Sequence, residues 1–130
     1  MSLDVPGNLL ERAHNGEPIP NEEFVRVVKE SLPYAWRVVS GVAARLDAEG
    51  VEFTDDATPP IEEERGQLLR AFASDAIRAS LEDHFGVRLG FQNCHRVAAF
   101  RRSPAGEAAH ATFTSLHSQL LNQSPELRDC

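Results

Sequence analysis

Cys94-His95-Arg96 is the run whose residue types come nearest to chemistry. A thiol becomes a nucleophile where positive charge or a helix N-terminus lowers its pKa, and Asn93 would cap a helix carrying Cys94 in its first turn beside His95 and Arg96. No catalytic-cysteine motif surrounds it, and buried cysteine commonly acts as a small hydrophobe, so packing is the expected role. Asp83-His84 is the second pairing. A carboxylate beside an imidazole can orient the ring for general-base work, yet successive helical side chains diverge by about 100°. A histidine in the last turn of a helix is in any case favoured by the helix dipole. The catalytic set is thus unknown, with His84, Cys94, His95 and Arg96 as candidates.

Tyr34 and Trp36, the sole tyrosine and tryptophan, follow Pro33 at a helix start. Amphipathic rings there suit a ligand groove, a subunit interface or the rim of a core. Such a groove would use Tyr34, Trp36, Asp83 and Phe91. Metal ligation is not expected: paired motifs such as Cys-x-x-Cys are absent, and His110 and His117 would stand about 10 Å apart along one helix. Without a glycine-rich phosphate loop, nucleophile elbow or dinucleotide fingerprint, no cofactor is expected either.

The elements that would position these residues read as helices. Asn8 to His14 is a short one closed by Asn15-Gly16. Asn21 caps a second, and Pro33 opens a third that runs to about Asp47 with Ala35, Val38, Val39, Val42 and Leu46 inward. Val51 to Ala57 is a loop with room for an extended piece at Val51 to Phe53. A long central helix begins near Pro59, after Thr58 as cap, and ends at Phe85. Its inward face is Leu69, Phe72, Ala73, Ala76, Ile77 and Ser80, and Gly86-Val87 supplies a left-handed stop. Val87 to Phe91 alternates as a strand or serves as a connector. Cys94 to Arg102 is read as a helix because Ala98-Ala99 favours one, with a strand over His95 to Arg101 as the alternative. Ser103-Pro104 starts a last helix through Leu121 with Ala109, Phe113, Leu116 and Leu120 on one face. The expectation is an all-α single domain, 1–130, of five or six helices around one core, possibly with one short extended segment or hairpin, and with flexible ends at 1–6 and 123–130.

Composition bounds what this domain can do. With 42% hydrophobic and 25% charged residues and no apolar run near ~20 residues, the chain is neither disordered nor membrane-spanning. No signal peptide is legible, so a cytoplasmic protein is expected. The net charge of −7 repels phosphate backbones, and no nucleic-acid partner is expected unless scattered arginines converge in the fold. Cys94 and Cys130, too few and too near an end for a disulfide scaffold, are expected as free thiols. These bounds favour a homodimeric helical module that binds a peptide or partner protein through an aromatic-lined groove. Size and composition also match small cofactor-free enzymes of bacterial natural-product pathways, such as those forming lysinoalanine in lanthipeptides, or an immunity or antitoxin partner.

Overall fold

Residues 3–123 are described by a computed structural model. Among them a three-stranded antiparallel sheet sits within seven helices: α1 (Gly7–His14), α2 (Asn21–Ser31), α3 (Pro33–Glu49), β1 (Phe53–Asp56), α4 (Glu62–Phe72), α5 (Asp75–Phe85), β2 (Arg88–Gln92), β3 (Arg96–Phe100), α6 (Pro104–Phe113) and α7 (Leu116–Leu121). The fold is therefore mixed α and β, which corrects the all-α expectation.

Local chemistry explains most helix ends. Pro33 and Pro104 occupy first-turn positions where no N–H is missed. Ser74, Ser103 and Ser115 each accept a hydrogen bond from the backbone N–H three residues on. Gly50 and Gly86 end α3 and α5 in the left-handed conformation, at φ 64° and 66°. The start of α3 is completed from afar: the Gln67 side-chain oxygen accepts from the N–H groups of Tyr34, at 2.7 Å, and Ala35, at 3.2 Å.

Ser74 also explains why the central helix is two helices. Its hydroxyl accepts from Ile77 N–H at 3.2 Å, so the chain leaves α4 at Ala73 and restarts as α5. The apolar period continues across this break, which is why it reads as one helix, but the rotation changes the inward set. Leu68 is fully buried and Leu69 is 44% exposed, while Phe72, Ile77 and Ser80 face inward as expected. The first half also begins later than expected, at Glu62. Thr58 N–H bonds Asp56 instead of capping, and Glu64 accepts from Ile61 N–H.

The stretch read as a helix from Cys94 to Arg102 is the central strand. β3 pairs with β1 on one side and β2 on the other, in the order β1-β3-β2. Both of its faces are covered: Val97 and Ala99 enter the main core with α2 to α5, whereas Ala98 and Phe100 pack beneath Phe113 of α6. A strand buried on both faces carries a continuous apolar run rather than an alternation, and that run outweighs the helix propensity of two alanines. Asn93, expected as a cap, instead opens a tight turn. Asn93 and Cys94 both take φ 53°, and His95 N–H bonds Gln92 C=O at 3.3 Å, as in the primed turns that match strand twist.

The extended piece lies later than the expected Val51 to Phe53, sharing only Phe53 with it: β1 runs Phe53–Asp56 and is tied down by Thr54 Oγ1 donating to Val42 C=O at 2.6 Å. Arg101 fastens the same corner, donating to Val51 C=O at 2.7 Å and Leu46 C=O at 2.9 Å. The last expected helix breaks at Thr114–Ser115. Its Leu116 and Leu120, expected inward, are 74% and 67% exposed. Of the ends expected to be flexible, 1–2 and 124–130 lie outside the described residues. Leu3 packs against the core and Asp4 N–H bonds Ser31 Oγ at 2.8 Å, so the segment after them is tied down.

Gly106 is where α6 can approach Arg101, since a Cβ there would lie 1.9 Å from the Arg101 carbonyl oxygen. Gly106→Ala should cost about 3 kcal/mol, at the upper end for overpacking, because the obstacle is backbone and cannot rotate away. Chemical denaturation is the check, and a loss below about 1 kcal/mol would contradict this packing. Gly86→Val, at positive φ, should likewise exceed an ordinary surface change of about 0.5 kcal/mol.

Candidate functional site

Charge and aromatic surface meet in a groove between α5, β2 and α6. Gly86 turns the chain so that β2 runs back beside α5, bringing Arg88 opposite Arg78, and α6 contributes His110 and Thr114. The groove encloses about 420 Å³ and is lined by Phe72, Arg78, Glu82, Arg88, Phe91 and His110 among others. Its floor is the Phe72–Phe91 pair, stacked at 4.8 Å between centroids and 14° between planes.

β2 is an edge strand, and the groove's polar residues partly satisfy it. Glu82 accepts the Leu89 N–H at 2.9 Å, and His110 Nε2 donates to the Leu89 carbonyl at 3.0 Å. Gly90 leaves room for α6, because a Cβ there would meet the Phe113 ring at 2.8 Å. Arg78 pairs with Asp75 at 3.0 Å, and Arg88 Nε lies 3.6 Å from Glu82 and 3.9 Å from Glu107. The Arg88 side chain is 42% exposed, but its Nε atom is buried without a hydrogen-bond partner, and its neighbour Glu82 is only 13% exposed. The lining holds Arg78, Arg88 and Glu82, and Asp75 and Glu107 reach the two guanidiniums from outside it. An aromatic floor flanked by guanidiniums suits a planar ligand that carries negative charge.

The residues singled out in the sequence are dispersed. Phe91 is in this groove. Tyr34 lies between α3 and β1, in a polar cavity of about 410 Å³ with Arg37, Arg45, Asp55 and Asp56. Trp36 packs on Phe85 and His84, at 5.1 and 5.3 Å, with Lys29 over its ring at 5.4 Å. Asp83 is exposed and bonds Arg102 at 3.2 Å. His95 is buried in the hairpin turn, where its Nδ1 donates to Asn93 C=O at 2.6 Å. Arg96 bonds Asp55 at 2.8 Å and Gln92 at 3.2 Å above the Phe113 ring, a structural brace across the sheet. His84 thus belongs to a different cluster from His95 and Arg96. Cys94 is disulfide-bonded, correcting the expected free thiol, and it sits in a turn instead of at a helix N-terminus. His110 and His117 stand on separate helices, and no group of three or more potential metal ligands occurs among the described residues.

Arg78, Arg88 and Phe72 were missed as site residues because their meeting depends on the α4–α5 break and the Gly86 reversal. The usable signal was Ser74, whose capping role separates α4 from α5.

Over residues 1–130 the chain matches the KH NucS shadow family, described as NucS shadow ORF, and it belongs to that family. No curated protein and no solved structure matches it. The family is named for the NucS reading frame. That finding overturns the peptide- or partner-binding module, the natural-product enzyme and the immunity or antitoxin partner as readings of this chain.

Burial raises the Tyr34 phenol above its ordinary value, aided by the negative charges of Glu64 and Asp56 and opposed by Arg37. As the sole tyrosine, it can be titrated by ultraviolet absorbance. The midpoint should lie above about 10 and should fall in Glu64→Gln. Because the folded state holds this proton more tightly, the stability it contributes should be lost as pH rises through the folded value. An ordinary midpoint, unmoved by Glu64→Gln, would contradict this environment.

Proposed function

We propose that this protein binds single-stranded nucleic acid in the groove between α5 and β2, with a base over the Phe72–Phe91 floor and phosphates met by Arg78 and Arg88. The observation that carries the reading is the stacked Phe72–Phe91 pair, with Phe91 half-buried, between the guanidiniums of Arg78 and Arg88. Base stacking on such a platform is worth about 1–3 kcal/mol per base and tolerates any sequence, and guanidiniums track the backbone. The expectation of no nucleic-acid partner rested on net charge, whereas a ligand in a groove responds to the local field.

The chain departs from the usual clamp of KH modules, a Gly-x-x-Gly loop that grips backbone nucleotides. None of its eight glycines is spaced that way, and Ala73-Ser74 joins α4 to α5. Recognition would therefore rest on side chains, giving weak binding with a modest salt dependence. No helix among the described residues is long and apolar enough to cross a membrane. We place the protein in the cytoplasm with its nucleic acid.

Titration with fluorescent oligothymidylate across a salt series tests the reading. Two phosphate contacts give a log–log slope of about −1.4, and Arg78→Ala or Arg88→Ala should each reduce its magnitude by about 0.7. Phe91→Ala should weaken binding by about 1–3 kcal/mol at every salt concentration. The proposal fails if no saturable binding appears at low salt, or if these variants bind like the parent.

A further inference from the structure

Glu82 is the one carboxylate that lines the groove between α5 and β2, and a carboxylate cannot serve a phosphate. Its Oε2 atom accepts the Leu89 N–H at 2.9 Å and lies 3.6 Å from Arg88 Nε. Its Oε1 atom takes part in no hydrogen bond among the described residues and is open to solvent. The Leu89 N–H therefore holds the carboxylate at the strand edge, two residues from Phe91 and about 7 Å from it along β2. A base laid over Phe91 can turn one edge to Glu82.

The other polar groups of the groove do not tell one base from another. Arg78 and Arg88 keep guanidinium N–H groups beyond those that face Asp75, Glu82 and Glu107, but every base has a ring nitrogen or a carbonyl to accept from them. His110 Nε2 is committed to the Leu89 carbonyl, and Thr114 Oγ1 donates to the His110 carbonyl at 2.9 Å. An ionised carboxylate only accepts, and each of its oxygens can take two hydrogen bonds, so Oε2 has room for a second beside Leu89. Guanine alone sets two donors side by side, N1–H and the 2-amino group, matched to the two oxygens of a carboxylate. Adenine and cytosine offer one amino group next to an unprotonated ring nitrogen. Thymine offers one N–H between two carbonyls. Each of these three turns an acceptor toward the carboxylate, which leaves that acceptor unpaired.

We propose that Glu82 gives the groove a preference for guanine, held through N1–H and the 2-amino group while its ring stacks over Phe91. This inference rests on the single-strand reading of the same groove and adds a base identity to it. Stacking and phosphate contacts supply the affinity common to all sequences, and Glu82 supplies the difference between them.

The test is displacement of fluorescent oligothymidylate at low salt by short strands that carry a single base between two abasic units, so that only that base can occupy the groove. Guanine should displace the probe at a concentration at least about five-fold lower than thymine, the discrimination of a bidentate pair, with adenine and cytosine near thymine. Inosine, which lacks the 2-amino group, should fall between guanine and thymine. 1-Methylguanine, which lacks N1–H, should fall to the thymine level. Glu82→Gln keeps an oxygen for the Leu89 N–H but turns an amide donor toward the base. In that variant the guanine preference should drop below about two-fold while oligothymidylate binds no more weakly. If oligothymidylate does not bind at all, the groove reading fails and the preference fails with it. If it binds, then equal displacement by all bases, inosine equal to guanine, or a preference that survives Glu82→Gln overturns the role of Glu82 and leaves the groove reading standing. The base series on the unaltered protein decides the question even where Glu82→Gln does not fold.

Discussion

β3 is the constraint on which the rest of the structure depends. Its Val97, Ala98, Ala99 and Phe100 have no solvent exposure, and each face of the strand serves a different packing layer. Burying one such aromatic or branched aliphatic side chain contributes about 1.5–3 kcal/mol, comparable to a large share of a small domain's net stability. Two-sided burial also fixes register, because a slip of one residue would exchange Val97 and Ala99 with Ala98 and Phe100 and place the large ring of Phe100 in the wrong layer. With β3 fixed, β1 and β2 have their places, and α6 must approach closely enough to cover Phe100, which explains Gly90 and Gly106.

The candidate groove is a consequence of this arrangement. β2 is the edge beside α5, so its outer backbone groups and the Arg88 and Phe91 side chains meet what α5 and α6 present. Glu82 and His110 satisfy Leu89 at that edge, a way of blunting an exposed strand that also confines the groove to the stretch around Phe91.

Much of the helical framework was legible because its signals are local. Pro33, Pro104, Ser103, Gly50 and Gly86 each act within a few residues of their own position, and the periodicity of Val38, Val39, Val42 and Leu46 survives in α3 unchanged. The sheet was hidden because β3 lacks the alternation that marks a half-buried strand, and because asparagine serves equally as a helix cap and as a residue tolerating positive φ. The groove was harder still. Arg78 and Arg88 are separated by a helix end and a reversal, so their meeting is tertiary information. Leu116 and Leu120 show the opposite error: their spacing is that of a buried face, yet α6 ends at Phe113 and α7 carries them to the surface.

Backbone amide chemical-shift mapping with a short single-stranded oligonucleotide tests the central claim most directly, since it reports location and occupancy together. The account predicts perturbations concentrated at Arg78, Arg88 to Phe91 and His110, with the α1 and α3 surfaces silent. Perturbations confined to other surfaces, or none at saturating oligonucleotide, would contradict it.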